Sequence, residues 1–202
     1  MKALEANNFL ENKTLLEFFA GWLEKAKKTS LKQPEAFTLS TVNKSGQPHS
    51  RILLLKEIRA NELVFYTNYT SQKGQELEQH PKAAMNFFWD PLALQVCMQG
   101  TVTKTTRADS EKYWALRPRM SQLSQWTSKQ SQEVSSREVM EQEFALVEKK
   151  FAGKEVPCPT HWGGYLFSPT LVEFWIGRDG RFHDRYSYQK VEGTWLGKRL
   201  YP

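Results

Sequence analysis

Leu15, Phe19, Leu23 and Ala26 recur at helical spacing behind the capping-box pair Thr14 and Glu17, and they predict an amphipathic helix over 14–28. After Pro34 the period changes. Residues 36–43 and 48–56 read as strands around a Lys44-Ser45-Gly46-Gln47 turn, which predicts a hairpin. A third strand over 63–68 leads through Tyr69-Thr70-Ser71 into a short polar helix that ends before Pro81, and strands over 83–89 and 94–104 flank an Asp90-Pro91 turn. Thr106, with Asp109 three residues on, opens a helix that carries Tyr113, Trp114 and Leu116 and stops at Pro118. Residues 121–131 are polar, rich in Ser and Gln, and carry no predicted element. Ser135 and Glu138 form another capping pair, opening a helix to about Phe151 whose apolar face is Val139, Phe144, Val147 and Phe151. The chain then returns to strands over 164–168, 171–177, 181–190 and 194–200, with a turn at Arg178-Asp179-Gly180. Antiparallel hairpins with helices between them predict an α+β fold. A closed or half-closed barrel is expected, because long open sheet edges invite aggregation.

Composition narrows the class. The chain has 202 residues, 40% hydrophobic and 25% charged, and no linker or repeat, which fits one globular domain over 1–202 with 1–13 as a flexible leading segment. The longest aliphatic run, Ile52-Leu53-Leu54-Leu55, is far short of the roughly 20 apolar residues of a membrane helix. The start of the chain carries Glu5 and Glu11 and no apolar core of a secretory signal, so a cytoplasmic location is expected, with no membrane partner. Cys97 and Cys158 lack the spacing of a metal or disulfide framework and read as reduced thiols; no metal site is expected. The formal charge of +6 favours anionic partners, but the basic residues are scattered, which suits small phosphorylated ligands better than nucleic acid.

Three clusters could carry chemistry. On a strand, Arg181, His183 and Arg185 would share one face; with Trp175 on the preceding strand they could form a floor and clamp for a flat anion, or simply a solvated outer face. Ser71-Gln72-Lys73 opens the short polar helix, where free N–H groups favour a phosphate, although a serine there also serves as an ordinary cap. Tyr113 and Arg117 are adjacent on a helix, and Pro118 could turn Ser121 back toward them as a phosphate pocket; the alternative is a helix end whose dipole an arginine neutralises.

The strings RILLLKEI, VFYTNYTSQKGQELEQHP, RPRMSQLSQWTSKQS, WGGYLFSP, EFWIGRDGRFHDRYSY and the terminal RLYP, in that order, resemble the pyridoxine/pyridoxamine 5′-phosphate oxidase family over most of residues 14–202. The resemblance implies an antiparallel FMN-binding split barrel of Greek-key type with flanking helices, and a homodimer whose active sites are shared between subunits. It implies that Arg51, Lys73 and Ser131 lie near the FMN phosphate. Tyr66, Thr67, Gln95, Gln130, Trp175 and Arg185 match further FMN contacts, as do the flanking Lys56 and Gln72, with Leu53 and Leu54 against the flavin ring. The substrate phosphate would be held by Lys56, Tyr113, Arg117 and Ser121, with Arg181 and His183 as catalytic residues over the substrate ring. Two departures stand out: Gln72 replaces the arginine usual beside the helix-start lysine, and residues 1–13 offer no match to the family's basic lid segment.

The implied reaction takes a hydride from the substrate carbon bearing the amine or alcohol, with FMN as acceptor and dioxygen reduced to hydrogen peroxide, and yields pyridoxal 5′-phosphate. Two alternatives share the FMN residues. One is a split-barrel oxidase of another substrate, such as a phenazine precursor; the other is a non-catalytic protein that binds FMN or pyridoxal phosphate.

Overall fold

A computed structural model of the protein describes residue 10 and residues 14–202, so the expected flexible segment 1–13 lies, Leu10 apart, outside the described residues. Helix α1 (Leu15–Lys27) starts at its predicted cap: Thr14 Oγ1 accepts from the Glu17 N–H at 3.3 Å and Glu17 Oε2 accepts from the Thr14 N–H at 2.8 Å. These bonds satisfy two donors that a helix start otherwise leaves free. The apolar stripe of α1 is buried, with Phe19 meeting Phe87 at 4.8 Å and Trp22 meeting Phe174 at 5.2 Å between ring centroids. Burying each such side chain contributes about 1.5–3 kcal/mol. The helix is therefore part of the main core.

The sheet is continuous. It comprises β1 (Ala36–Val42), β2 (Pro48–Leu54), β3 (Glu57–Ile58), β4 (Leu63–Asn68), β5 (Lys82–Trp89), β6 (Leu94–Lys104), β7 (Trp162–Ile176), β8 (Asp184–Val191) and β9 (Thr194–Leu200). Every pairing is antiparallel, in the order β2-β1-β5-β6-β7-β4-β3, with β8 on β7 and β9 on β8. Strands β2 and β3 end that order yet are consecutive in the chain, separated only by Leu55 and Lys56. The sheet therefore curls back on itself as a half-barrel, in line with the expected split barrel. Strand β7 replaces two expected strands: Pro169 interrupts nothing, because the β6 register shifts at Gln99/Gly100 opposite it, where a bulge removes the need for a ladder N–H.

Four helices follow α1: α2 (Gln72–Gln79), α3 (Arg107–Ala115), α4 (Arg119–Thr127) and α5 (Arg137–Lys150). Thr106 caps α3 as expected, accepting from the Asp109 N–H at 3.0 Å. The cap of α5 is Ser136 rather than Ser135, and its hydroxyl accepts from the Val139 N–H at 3.4 Å. Helix α4 occupies part of the stretch with no predicted element; it has no side-chain cap and buries a single residue, Leu123, in a second core with Trp114, Phe151, Val156 and Trp162. Two indole N–H groups fasten this layer to the connection before β7, Trp114 to the Val156 carbonyl and Trp126 to that of Pro157, each at 2.7 Å.

Candidate functional site

Strand β4 ends in a turn that aims α2 into the protein. Asn68 Oδ1 accepts from the N–H and hydroxyl of Thr70 at 2.8 and 2.7 Å, and Ser71 Oγ caps the helix by accepting from the Gly74 N–H at 3.4 Å. Gly74 packs so tightly on this turn that a Cβ would lie 2.1 Å from the Tyr69 carbonyl oxygen, so the position requires glycine. Lys73 is thereby turned inward and is only 6% exposed. Its Nζ donates to Gln130 Oε1 at 2.9 Å and to Ser71 Oγ at 3.2 Å, and the Thr67 hydroxyl donates to the same Gln130 oxygen at 3.4 Å. Burial, then the nearby Arg51 charge, pull the ammonium down to about 8 against the pull of Glu76.

Arg51 reaches the same region from β2. It donates to Thr41 Oγ1 at 2.5 Å, to the Leu39 carbonyl at 3.3 Å and to Glu76 Oε2 at 3.4 Å. Glu76 is buried on α2, accepts from the Thr41 hydroxyl and is bonded to His49 Nδ1 at 2.7 Å. Burial alone would raise its carboxyl. The bonds from Thr41 and His49, with the charges of His49 and Arg51, outweigh burial and hold it below the ordinary range. Two buried or half-buried cations thus share one carboxylate, and Lys73 has only neutral oxygens as hydrogen-bond partners. Such a place is electrostatically incomplete without an anion, and a phosphate fits it.

On the neighbouring residue of β4, Tyr66 stacks on Tyr113 at 4.0 Å with 15° between planes, and both stack on the buried Trp162. The Arg117 guanidinium lies 4.9 Å from the Trp162 ring centre and donates to the Ser121 carbonyl at 3.2 Å. Pro118 therefore does bring Ser121 back to Arg117, by way of α4. Burial pushes the Tyr66 phenol up to about 12, so it remains neutral and serves as a wall of the site.

A third group stands in one row across three strands: Gln95 on β6 opposes Trp175 on β7, which opposes Arg185 on β8. Arg185 makes paired bonds to Glu173 at 2.8 and 3.0 Å and donates to the Tyr201 carbonyl at 3.0 Å. The His183 ring lies 4.6 Å from that of Trp175, and its Nδ1 accepts from the Arg178 N–H at 3.0 Å. With Nδ1 accepting that bond, Nε2 is the ring nitrogen that can donate. Thr67 pairs with Gly163 near the start of β7, whereas Trp175 lies near its end. Roughly 40 Å of extended strand separates the two.

The family model described as pyridoxamine 5′-phosphate oxidase matches residues 23–151, and that of the pyridoxine 5′-phosphate oxidase C-terminal dimerisation region matches residues 162–202. The pyridoxine/pyridoxamine 5′-phosphate oxidase of Leptospira biflexa is 46% identical over 187 residues, covering 93% of this chain and 88% of that relative. The chain belongs to the pyridoxine/pyridoxamine 5′-phosphate oxidase family. The oxidase of the same name from Psychromonas ingrahamii is 43% identical over 199 residues, covering 96% of this chain and 92% of the relative. Among solved structures, PhzG from Burkholderia lata 383, in complex with tetrahydrophenazine-1-carboxylic acid, superposes with a TM-score of 0.88 at 26% identity over 93% of this chain and 92% of that one.

Within this oxidase-family chain the expected site residues fall into three groups rather than one: Arg51, Thr67, Lys73 and Gln130; Tyr66, Tyr113, Arg117 and Ser121; and Gln95, Trp175, His183 and Arg185. Leu53 and Leu54 are half-buried on β2 beyond Arg51, and Gln72 is exposed at the start of α2. Lys56 lines a groove with Leu23, Glu24 and Glu35. Two expectations need correction. Strand β8 begins at Asp184, and Asp179–Arg181 is a 3₁₀ turn with Gly180 at φ 66° and Arg181 at φ 61°, so Arg181, His183 and Arg185 do not share a strand face. Arg185 is also no free anion clamp, since Glu173 neutralises it. Arg181 and Ser131 (φ 72°) both hold the left-handed conformation that side chains disfavour.

Glu76, His49, Thr41 and Trp162 were missed. A signal existed for two of them: Glu76 is three residues from Lys73 on one face of α2, and His49 is two from Arg51 on one face of β2.

Proposed function

We propose that the protein is an FMN-dependent oxidase that converts pyridoxamine 5′-phosphate or pyridoxine 5′-phosphate to pyridoxal 5′-phosphate, reducing dioxygen to hydrogen peroxide. The observation that carries this reading is a pair of anion sites joined through adjacent residues of β4. Thr67 leads to the Lys73–Gln130–Arg51 region and Tyr66 to the Tyr113–Arg117–Ser121 region. One suits the cofactor phosphate and the other the phosphate of the substrate. Acceptance of the hydride and return of its electrons to dioxygen are chemistry supplied by FMN when bound. The protein residues bind and orient: Lys73 and Arg51 neutralise one phosphate, Arg117 and Ser121 take the other, and His183 presents its Nε2–H to the substrate ring. Arg181, with Trp175 and His183 close by in the chain, would hold and orient the substrate ring.

The active sites are shared between two copies. Supporting this are the length of β7 between Thr67's partner and Trp175, and the exposure of the large apolar residues Ile52, Phe88, Phe182 and Leu196. The family's dimerisation region covers the β7–β9 end. No helix among the described residues is long and apolar enough to cross a membrane, and a cytoplasmic enzyme of one domain is the reading that accompanies the reaction. PhzG shares the fold, but the ligand named for it carries a carboxylate and no phosphate, so it has no use for a phosphate site such as the Arg117–Ser121 region.

The test is the visible spectrum of protein incubated with FMN, desalted and given pyridoxamine 5′-phosphate without oxygen. The flavin band should bleach and return in air with release of peroxide. A retained band that stays yellow points to another substrate or to a binding protein.

A further inference from the structure

The groove beside Arg117 holds more hydrogen-bonding capacity than Arg117 and Ser121 provide. It is lined by Arg117, Met120, Ser121, Ser124, Gln125 and Ser128, a set with a guanidinium, an amide and serine hydroxyls but no carboxylate. Three buried side-chain polar atoms among the described residues have no hydrogen-bond partner: Arg117 Nε, Gln125 Nε2 and Tyr165 Oη. Tyr165 belongs to the main core, and the other two atoms belong to residues that line this one groove. A buried donor without an acceptor is unfavourable and rare, and two around one concavity mark a place where an acceptor-rich ligand completes the bonding.

Helical spacing explains the convergence. Ser121, Gln125 and Ser128 stand at i, i+4 and i+7 along α4 and its C-cap, and Arg117 reaches that face from the turn before Pro118. We propose that Gln125 is a further substrate-binding residue, its Nε2–H joining Arg117 and Ser121 in holding the phosphate monoester of the substrate. The inference rests on the oxidase reading above and deepens it. It also gives α4, whose intrinsic support is slight, a specific role in presenting one amide and a row of hydroxyls to a dianion.

Steady-state kinetics with pyridoxamine 5′-phosphate, with unphosphorylated pyridoxamine, and with inorganic phosphate as inhibitor test the proposal on FMN-loaded protein. Gln125→Met keeps the side-chain length and removes the donor. KM for the phosphorylated substrate and the inhibition constant of phosphate should both rise about tenfold, the loss expected for one hydrogen bond to a charged group, while flavin retention shows the variant is folded. Gln125→Glu keeps the shape but sets a carboxylate against the phosphate, and the rise should be larger. Unchanged KM and phosphate inhibition in both variants would overturn the proposal, as would an equal loss with both amines, which would mark a structural role. If the unaltered protein does not oxidise pyridoxamine 5′-phosphate, the function itself is wrong; direct titration of inorganic phosphate against unaltered and Gln125→Met protein then still decides whether Gln125 binds it.

Discussion

The two ends of β7 are built differently. At its start, Lys73, Arg51, Glu76, Thr41 and Gln130 form a buried network that a single chain assembles through its own packing. At its far end, Trp175, His183 and Arg185 are half-exposed on a hairpin, and Arg181 is exposed in a turn with a left-handed backbone. The first region sets the two cations Lys73 and Arg51 against the single carboxylate of Glu76; the second presents apolar and cationic groups at the surface. This contrast implies a division of labour. On the oxidase reading proposed above, one end would bind a phosphate alone, whereas the other would become a catalytic surface when laid against the first end of another chain.

Complementation between variants puts that contrast at most risk. Lys73→Met should weaken FMN binding by roughly 10- to 100-fold through loss of a charge-assisted bond. Arg181→Ala should retain FMN and lower turnover by at least that factor, since it removes a group that orients the substrate. Mixed subunits of the two variants, made by co-expression, should recover about one quarter of the unaltered activity, because half the dimers of a two-fold assembly then hold one intact site. No recovery would mean that both ends serve one chain's own site.

Stability distinguishes the regions next. Glu76→Gln leaves Arg51 with its buried charge uncompensated, and urea denaturation at pH 7 should show a loss of about 3 kcal/mol, with little change for the exposed Arg181→Ala. The pH dependence has a definite sign. The folded carboxyl of Glu76 lies below its ordinary value of 4.5, so its contribution is present above that pH and disappears as pH falls through the folded value. Acid denaturation of Glu76→Gln should lack this component.

Lys73 gives a smaller effect of opposite sign. Its ammonium titrates near 8 in the fold against 10.5 ordinarily, so the unfolded chain holds that proton more tightly between the two values. The FMN-free protein should therefore gain stability as pH rises from 8 to 10.5. A bound phosphate favours the charged ammonium, so FMN affinity should weaken across the same window by about tenfold per unit of displacement. Fluorescence quenching titrations at pH 7 to 10 would reveal it, and Lys73→Met should be flat.

How far such regions can be read in advance depends on whether the signal is local. The Thr14–Glu17 cap, the bounds of β4, β6 and β9 and the Pro118 return to Ser121 all depend on neighbours a few residues apart, and they were legible. Helix α4 was not, because it lacks a side-chain cap and buries only Leu123, so tertiary packing rather than pattern makes it. The 181–183 stretch was read as strand because its alternation is strand-like, but consecutive left-handed residues at Gly180 and Arg181 break the ladder. Lys73 and Gln130 are far apart in the chain, and only the family resemblance joined them before the fold did. Glu76 looked like a polar residue on a polar helix; its burial follows from how β1 and β2 pack on α2.

Gln72 provides the finest adjustment to the picture of the two ends. It occupies the first turn of α2, exposed, where the family usually has arginine, and it lines a groove with Lys44 of the β1–β2 turn. The inner network already supplies Lys73 and Arg51, so an added outer cation meets a phosphate through solvent-screened space. Gln72→Arg should tighten FMN binding by no more than about fivefold, the scale of an exposed ion pair, and about 0.5 M salt should erase the gain. A gain of about a hundredfold, well beyond that scale, would place the phosphate outside the Lys73–Gln130 pocket, at the exposed rim of the helix. The contrast between a self-contained buried end and an open end would then need redrawing, because the first end too would depend on a surface charge.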